Sequence, residues 1–389
     1  MRLGLGAMGI ATPLGVGKSA VAEALMTGTR AGLAGEMTVY PDRRVRVGRV
    51  DAALPEAATR NDGLMRLVLN QIGAEIVAAK ARFGADRIAV ILGTSTSGIS
   101  EGEAAYAVRK SGGNWPSGFH YRQQELGALA DGAADYLGLS GPSYTIATAC
   151  SSSAKVFATA RRLMAAGLCD AAVVGGADTL CATTINGFAS LDAMSRGLCQ
   201  PFSRNRDGIN IGEGAAAFLV TPDAADIALL GFGESSDAHH LSAPDPSGAG
   251  AAAAMKAALA DAGLGAGDIA YVNLHGTGTP LNDAMEGIAV HNVFGSDVPC
   301  SSTKAMTGHM LGAAGACEAA FLYLALHPDH GGGRLPPHLW DGEADPTIPA
   351  LKLVTPNMGL DLTQPQAMLS NSFAFGGSNM ALILGRGRA

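Results

Sequence analysis

Short β-branched or apolar runs alternate along this chain with stretches whose apolar residues recur every three or four positions. That alternation restricts the chain to an α/β architecture. Strand-like runs fall at Arg87–Leu92, Tyr144–Thr148, Ala171–Val174, Ala215–Val220, Ile227–Gly233, Ile269–Leu274, Ala367–Phe373 and Met380–Leu384. Helical spacing holds over Gly63–Ala81, Ser152–Ala166, Gly250–Ala262 and Leu311–Leu326, the last apolar on nearly every side and so placed in the interior. The seam between two halves is expected within residues 221–230, which divides the chain into 1–225 and 226–389. Each half then offers strands, a long helix and returning strands, a hint of duplication with no direct sequence repeat behind it. Gly331–Pro349 reads as a loop facing solvent or a subunit edge.

With 389 residues, 48% of them apolar and only 16% charged, the chain buries a large core, and part of its surface is expected to be covered by a partner subunit. A net charge of −7 argues against nucleic-acid binding, which wants a basic face. The six cysteines, Cys150, Cys169, Cys181, Cys199, Cys300 and Cys317, form no CxxC pair and no zinc spacing, which fits a reducing, cytoplasmic setting with no metal. Met1–Gly15 lacks the charged start and apolar stretch of a signal peptide, and no run approaches the roughly 18–20 apolar residues of a membrane span. A soluble, intracellular protein without membrane insertion is expected.

Four clusters carry chemistry. In Thr145–Ser153, Cys150 sits where a buried strand gives way to a helix, beside unpaired backbone N–H groups and the positive end of the helix dipole. That setting predicts a lowered thiol pKa and a nucleophilic thiolate; position alone leaves a buried, inert cysteine equally open. The second half supplies His275-Gly276-Thr277-Gly278-Thr279 directly after a strand, where α/β proteins place active-site loops, and Lys304-Ala305-Met306-Thr307-Gly308-His309 ahead of the interior helix. Asn371–Asn379 holds Phe375 before Gly376-Gly377, a turn that would let the ring act as a lid, or mark only a tight strand connection. The other seven histidines read as structural or solvated.

Together Thr148-Ala149-Cys150, His275–Thr279, Lys304–His309 and Phe373–Gly377, with the opening Gly9–Gly15, closely resemble the β-ketoacyl–acyl carrier protein synthases of the thiolase-like superfamily, in order and along the whole chain. The resemblance implies a five-layer αβαβα fold of two similar halves and a homodimer or a heterodimer with a related subunit. It also implies the elongating, Cys-His-His type of decarboxylating condensation, with substrates on the phosphopantetheine of an acyl carrier protein and no other cofactor. By resemblance Cys150 is the nucleophile, His275 and His309 stabilise the enolate, and Lys304 with Glu318 supports them. Backbone N–H groups of Cys150 and Phe375 form the oxyanion hole, Thr277 and Thr279 meet the pantetheine arm, and Phe188 and Phe375 line the acyl pocket. For Phe188, core packing is nearly as good a reading. A thiolase would carry a second cysteine near its C-terminus, and none follows Cys317; a non-catalytic chain-length partner would lack Cys150.

The chain departs from the family pattern at three places. Ser203 stands where an aspartate is common, Ala374 where a glycine precedes the gating phenylalanine, which predicts a stiffer lid, and the basic carrier-docking helix keeps only Arg60 and Arg66. Docking is therefore expected to use other basic groups, Arg204 or Arg206 among them, or a partner subunit.

Overall fold

The computed structural model describes residues 1–387. Its first half contributes strands β1 (Leu3–Thr12), β2 (Ile88–Gly93), β3 (Ser143–Ile146), β4 (Ala171–Asp178) and β5 (Gly214–Thr221). The second contributes β6 (Ile227–Ser236), β7 (Tyr271–Asn273), β8 (Pro299–Ser301), β9 (Gln366–Ala374) and β10 (Ser378–Arg386). The first set lies in the order β1-β5-β4-β2-β3, the second in the order β6-β10-β9-β7-β8, so the two sheets have the same spatial order and the same connectivity. The first two pairings are antiparallel and the last two parallel in both. A short antiparallel contact, Leu3 with Leu229 and Gly4 with Ala228, joins the sheets edge to edge.

Alternation of side chains along each strand sorts the core into layers. In β2, Ala89 and Ile91 face the middle of the molecule while Ile88, Val90 and Leu92 face outward onto helices Arg60–Asn70, Gly73–Phe83 and Ala128–Leu137. In β10, Leu382 and Leu384 face the middle while Ala381 and Ile383 meet helices Ala249–Ala262 and Pro280–Phe294. Between the sheets lie helix Lys18–Thr27 and two central helices, α1 (Ser152–Ala165) and α2 (Ala314–Leu326). The result is a five-layer αβαβα fold built from two similar halves.

Every residue of α2 is buried, as its unbroken apolarity predicts. The two central helices approach closely at Gly315, where an added Cβ would stand 2.6 Å from the Ala154 nitrogen and 2.7 Å from its Cβ. Neither contact partner is a flexible chain end. Gly315→Val should therefore lower stability by about 1–3 kcal/mol through overpacking, read as a reduced midpoint in denaturant unfolding. An unchanged midpoint would show that the central layer yields.

The structure corrects three expectations. The strand before Cys150 ends at Ile146 and is half-exposed rather than buried, because β3 has a neighbour, β2, on one side and an open edge on the other. The stretch 63–81 is two helices, not one; the break comes at Gln71, whose amide bonds both the N–H and the carbonyl of Ile10 at 3.0 Å, clamping the turn to β1. Within the loop Gly331–Pro349, residues Leu335–His338 turn inward, and His338 accepts the Ser302 N–H at 3.1 Å. No helix among the described residues is long and apolar enough to cross a membrane.

Candidate active site

Parallel strands of both halves deliver the reactive groups. Past β3 the backbone turns sharply, with Ala149 held at φ +51°, and presents Cys150 just before α1 begins at Ser152. The Ser152 hydroxyl locks that turn, accepting the Thr148 N–H at 2.8 Å and donating to the Ala149 carbonyl at 2.6 Å. Strand β7 ends just before His275, and the loop there bends through Gly276 and Gly278, both in the left-handed region. Two buried carboxylates from the following helix hold this loop by its backbone. Glu286 accepts the N–H groups of His275 and Gly276, each at 2.7 Å, and Asp283 accepts that of Thr277 at 3.0 Å. After β8, the short helix Lys304–Thr307 and Gly308 lead into His309, whose N–H donates to the Asn210 carbonyl at 2.7 Å.

The three side chains predicted to react converge. The sulfur of Cys150 and ring nitrogens of His275 and His309 all lie within 4.8 Å of one another. His309 Nε2 is 2.9 Å from Sγ, and the imidazoles meet edge to face with centroids 5.3 Å apart. His309 Nδ1 accepts the Leu311 N–H at 3.3 Å, so the remaining ring proton sits on Nε2 and points at the sulfur. His275 turns Nδ1 toward the Lys304 ammonium at 3.5 Å, which assigns its proton to Nε2 as well. Both rings are neutral: burial holds them well below the ordinary imidazole range, and the Lys304 charge adds to the effect. Two N–H donors aimed at one point suit a developing oxyanion. A metal on the same three groups would need unprotonated nitrogens there.

The thiol does not follow the sequence expectation. Burial pushes Cys150 up to about 12; the Lys304 charge and the hydrogen bond from the Phe375 N–H pull it back only in part. The dipole of α1 favours the thiolate, but a sulfur in a residue only 7% exposed loses more by leaving water. Cys150 therefore rests as a neutral thiol, with the Phe375 N–H already on its sulfur.

Lys304 and Glu318, both 1% exposed, form an ion pair of 2.5 Å behind the histidines. Burial raises the Glu318 carboxyl against the pull of Lys304. The cavity above the sulfur encloses about 240 Å³ and includes Phe188, Leu191, Ile209, Phe373 and Phe375 in its wall, with Thr277 and Thr279 on its polar side. The two threonine hydroxyls lie 2.9 Å apart. The rings of Phe188 and Phe375 stand 5.5 Å apart, so Phe188 belongs to the pocket and not to core packing alone. Ala374 adopts ordinary extended backbone, where a methyl group costs nothing; the turn's unusual conformation resides in Gly376 and Gly377, at φ +79° and +76°. A stiffer lid thus does not follow from Ala374.

Sequence reasoning missed the carboxylates that support this geometry. Besides Glu286 and Asp283, Asp178 at the end of β4 accepts hydrogen bonds from Thr94, Ser95, Thr96 and the Ala313 N–H, tying the first half to the start of α2. An acid closing an otherwise apolar strand was the available signal. The aspartate expected near Ser203 is replaced from elsewhere: Asp341 accepts the Ser203 hydroxyl and the Asn205 amide, each at 2.8 Å. Arg206 is also taken, buried against Asp345 at 2.5 Å, which removes it as a docking group, and Arg204 lies 3.7 Å from Glu343. Arg60 pairs with Glu213 at 2.5 Å, and Arg66 donates to the Glu56 carbonyl while lying over the Tyr136 ring.

A buried Cys-His-His triad at the meeting point of two half-sheets defines a condensing enzyme of the thiolase-like class. The chain belongs to the beta-ketoacyl synthase family: residues 6–225 match the family's N-terminal domain and 227–338 its C-terminal domain. It is 33% identical over 324 residues to 3-oxoacyl-[acyl-carrier-protein] synthase 2 of Staphylococcus aureus (strain COL), covering 77% of this chain and 75% of that one. The enzyme of the same name from Coxiella burnetii is 34% identical over 330 residues, 78% and 76% of the two chains. Among solved structures, a chain of the ketosynthase ApeO in complex with its chain length factor ApeC, from Xenorhabdus doucetiae, superimposes with a TM-score of 0.93 at 44% identity, covering 99% of this chain and 98% of that one. A beta-ketoacyl synthase from Burkholderia phymatum gives 0.85 at 28% identity, covering 100% of both chains.

Proposed function

We propose that this protein is a 3-oxoacyl-[acyl carrier protein] synthase that extends an acyl chain held on Cys150 by two carbons from malonyl-carrier. The observation that carries this reading is the convergence of one thiol and two neutral imidazoles within 4.8 Å under an apolar cavity. Cys150 attacks the acyl-thioester of the first carrier, and the thiol proton leaves with the carrier sulfur. Backbone N–H groups of Cys150 and Phe375 hold the oxyanion of this step and of the later attack on acyl-Cys150. Malonyl-carrier then loses CO2; the bonding electrons pass into the thioester, and the Nε2–H groups of His275 and His309 hold the enolate oxygen. The enolate carbon attacks the acyl-Cys150 carbonyl, and the Cys150 sulfur departs as a thiolate that takes up a proton from water, leaving 3-oxoacyl-carrier and the resting thiol. Thr277 and Thr279 hydrogen-bond the pantetheine arm, Phe188 and Phe375 pack on the acyl chain, and Lys304 with Glu318 positions the imidazoles.

The two halves are taken as 1–225 and 226–389, on either side of the turn into β6. The protein works in the cytoplasm, as a dimer whose second subunit is another copy or a ketosynthase-like relative. The open edge of β3 and the exposed Tyr106, Trp115 and Tyr121 nearby in sequence support such a partner. The 44% identity to a chain of a ketosynthase–chain length factor complex favours the heterodimer, with this chain as the active subunit.

Mass spectrometry tests the reading. The protein is incubated with a panel of acyl-carriers and then with malonyl-carrier. Acylation confined to Cys150, followed by a product two carbons longer, is expected. Acylation elsewhere, or none with any chain length, would refute it.

A further inference from the structure

We propose that an arginine-faced hairpin beside the catalytic cavity is the docking surface for the acidic carrier protein that delivers both substrates. This rests on the reading of the protein as a carrier-dependent synthase.

The hairpin comprises Gly35–Val39 and Arg43–Gly48, paired antiparallel. Its two faces differ completely. Val39, Val45 and Val47 point inward and pack in one cluster with Ile185, Ile209 and Leu311. Ile209 lines the cavity and Leu311 donates its N–H to the catalytic His309, so the hairpin's inner face rests on the wall of the site. On the outer side Arg44 and Arg46 are exposed, and two more exposed arginines flank them, Arg43 at the strand's first position and Arg49 just past its end. Residues 30–49 hold four arginines besides Arg30 against two carboxylates, Glu36 and Asp42, in a chain whose net charge is −7.

Glu36 is already shared by Arg44 and Arg46, at 3.3 and 3.5 Å, which leaves this pair of strands net positive. Arg43 and Arg49 make no ion pair among the described residues. Exposed Arg196 joins the patch: the Asn210 amide spans the Arg46 and Gly197 carbonyls, at 3.3 and 2.9 Å, which brings the two segments together. The acids on adjoining elements are Asp42, Asp192 and Asp207, the last holding the Ser195 hydroxyl and the Arg196 N–H. At the hairpin tip, the Tyr40 N–H donates to Asn186 at 2.8 Å, two residues ahead of the Phe188 that walls the acyl pocket.

Three of the four arginines expected to dock a carrier are otherwise engaged, and Arg204 lies 3.7 Å from Glu343. Arg60 is spent on Glu213, Arg66 on a carbonyl and a ring, and Arg206 on Asp345. An acidic partner approaching an acidic protein is steered by a local positive field, and the hairpin supplies one against the active-site wall. A guanidinium cluster also matches the carboxylates of an acidic helix two bonds at a time.

The test compares the wild-type protein with an Arg43→Glu/Arg49→Glu/Arg196→Glu variant. Affinity for a recombinant, phosphopantetheine-bearing acidic acyl carrier protein is measured across a salt series. The variant should bind roughly tenfold or more weakly at low salt, with a flatter salt dependence. Acylation of Cys150 by a carrier-free acyl-pantetheine thioester should be unchanged, which also shows that the variant folds. Unchanged carrier affinity would overturn the proposal, as would a loss confined to phosphatidylglycerol vesicles. If the wild type binds carrier through the hairpin but elongates nothing, the docking surface stands and the synthase reading falls. If the wild type elongates and the variant does so with the same KM for malonyl-carrier, the docking surface alone falls.

Discussion

Cys150→Ala should take up no acyl group from any acyl-carrier, whereas His309→Ala should still load Cys150 and then fail to release CO2 from malonyl-carrier. The two substitutions separate because they remove different things. The first deletes the only sulfur among the described residues of the cavity wall, and no other side chain there can hold a thioester. In the proposed mechanism His309 instead offers an Nε2–H that holds the enolate, while the Phe375 N–H, untouched by the change, would still polarise the acyl carbonyl during loading. Loss of one oxyanion donor costs on the order of 10²–10³ in rate, so the decarboxylation defect should dominate. Intact-protein mass spectrometry reads the loading and a CO2 assay reads the second step. A His309→Ala protein that loads poorly yet decarboxylates normally would invert these roles.

Lys304→Met should slow alkylation of Cys150 by iodoacetamide at every pH below the thiol's own titration. Burial alone pushes that thiol up, and the Lys304 ammonium is the largest influence opposing it, so removing the charge lifts the thiol further. Only the thiolate reacts, and a higher pKa leaves less of it at a given pH. The same substitution should raise the pKa of both imidazoles, because Lys304 depresses each after burial does. In the wild type, alkylation should climb steadily with pH beyond the ordinary thiol range, without the neutral-pH plateau of a pre-ionised cysteine. Stability is a separate readout. Losing the ammonium leaves Glu318 buried without its partner, at a cost of about 3–5 kcal/mol, or forces a proton onto it. A Lys304→Met/Glu318→Gln protein should regain much of that stability while keeping the slowed alkylation. Equal alkylation profiles in all three proteins would show that Lys304 serves only the fold.

Much of the site was readable in the residues themselves. Cys150 at a strand-to-helix junction, His275 at the end of a strand and His309 ahead of an all-apolar helix each carry a local signal, and the structure brings them to one point. The layered α/β fold was equally readable, because apolar periodicity is a local property. The carboxylates Glu286, Asp283 and Asp178 were not. Each works by accepting backbone N–H groups from segments that only folding brings near, and an isolated Glu or Asp in a helix or strand end looks like any solvated acid. The exchange at Ser203, with the acid arriving from Asp341, was hidden for the same reason.

By itself the sequence determined which residue types could react and on which kinds of element they would stand. The repeated order of the two sheets, the tautomers of the histidines and the protonation of the thiol were decided only by the tertiary structure. Charge state depends on how completely a group is withdrawn from water and on which charge lies beside it. Burial of Cys150 outweighs the dipole of the helix behind it, so a position that reads as a ready thiolate becomes a neutral thiol awaiting its substrate.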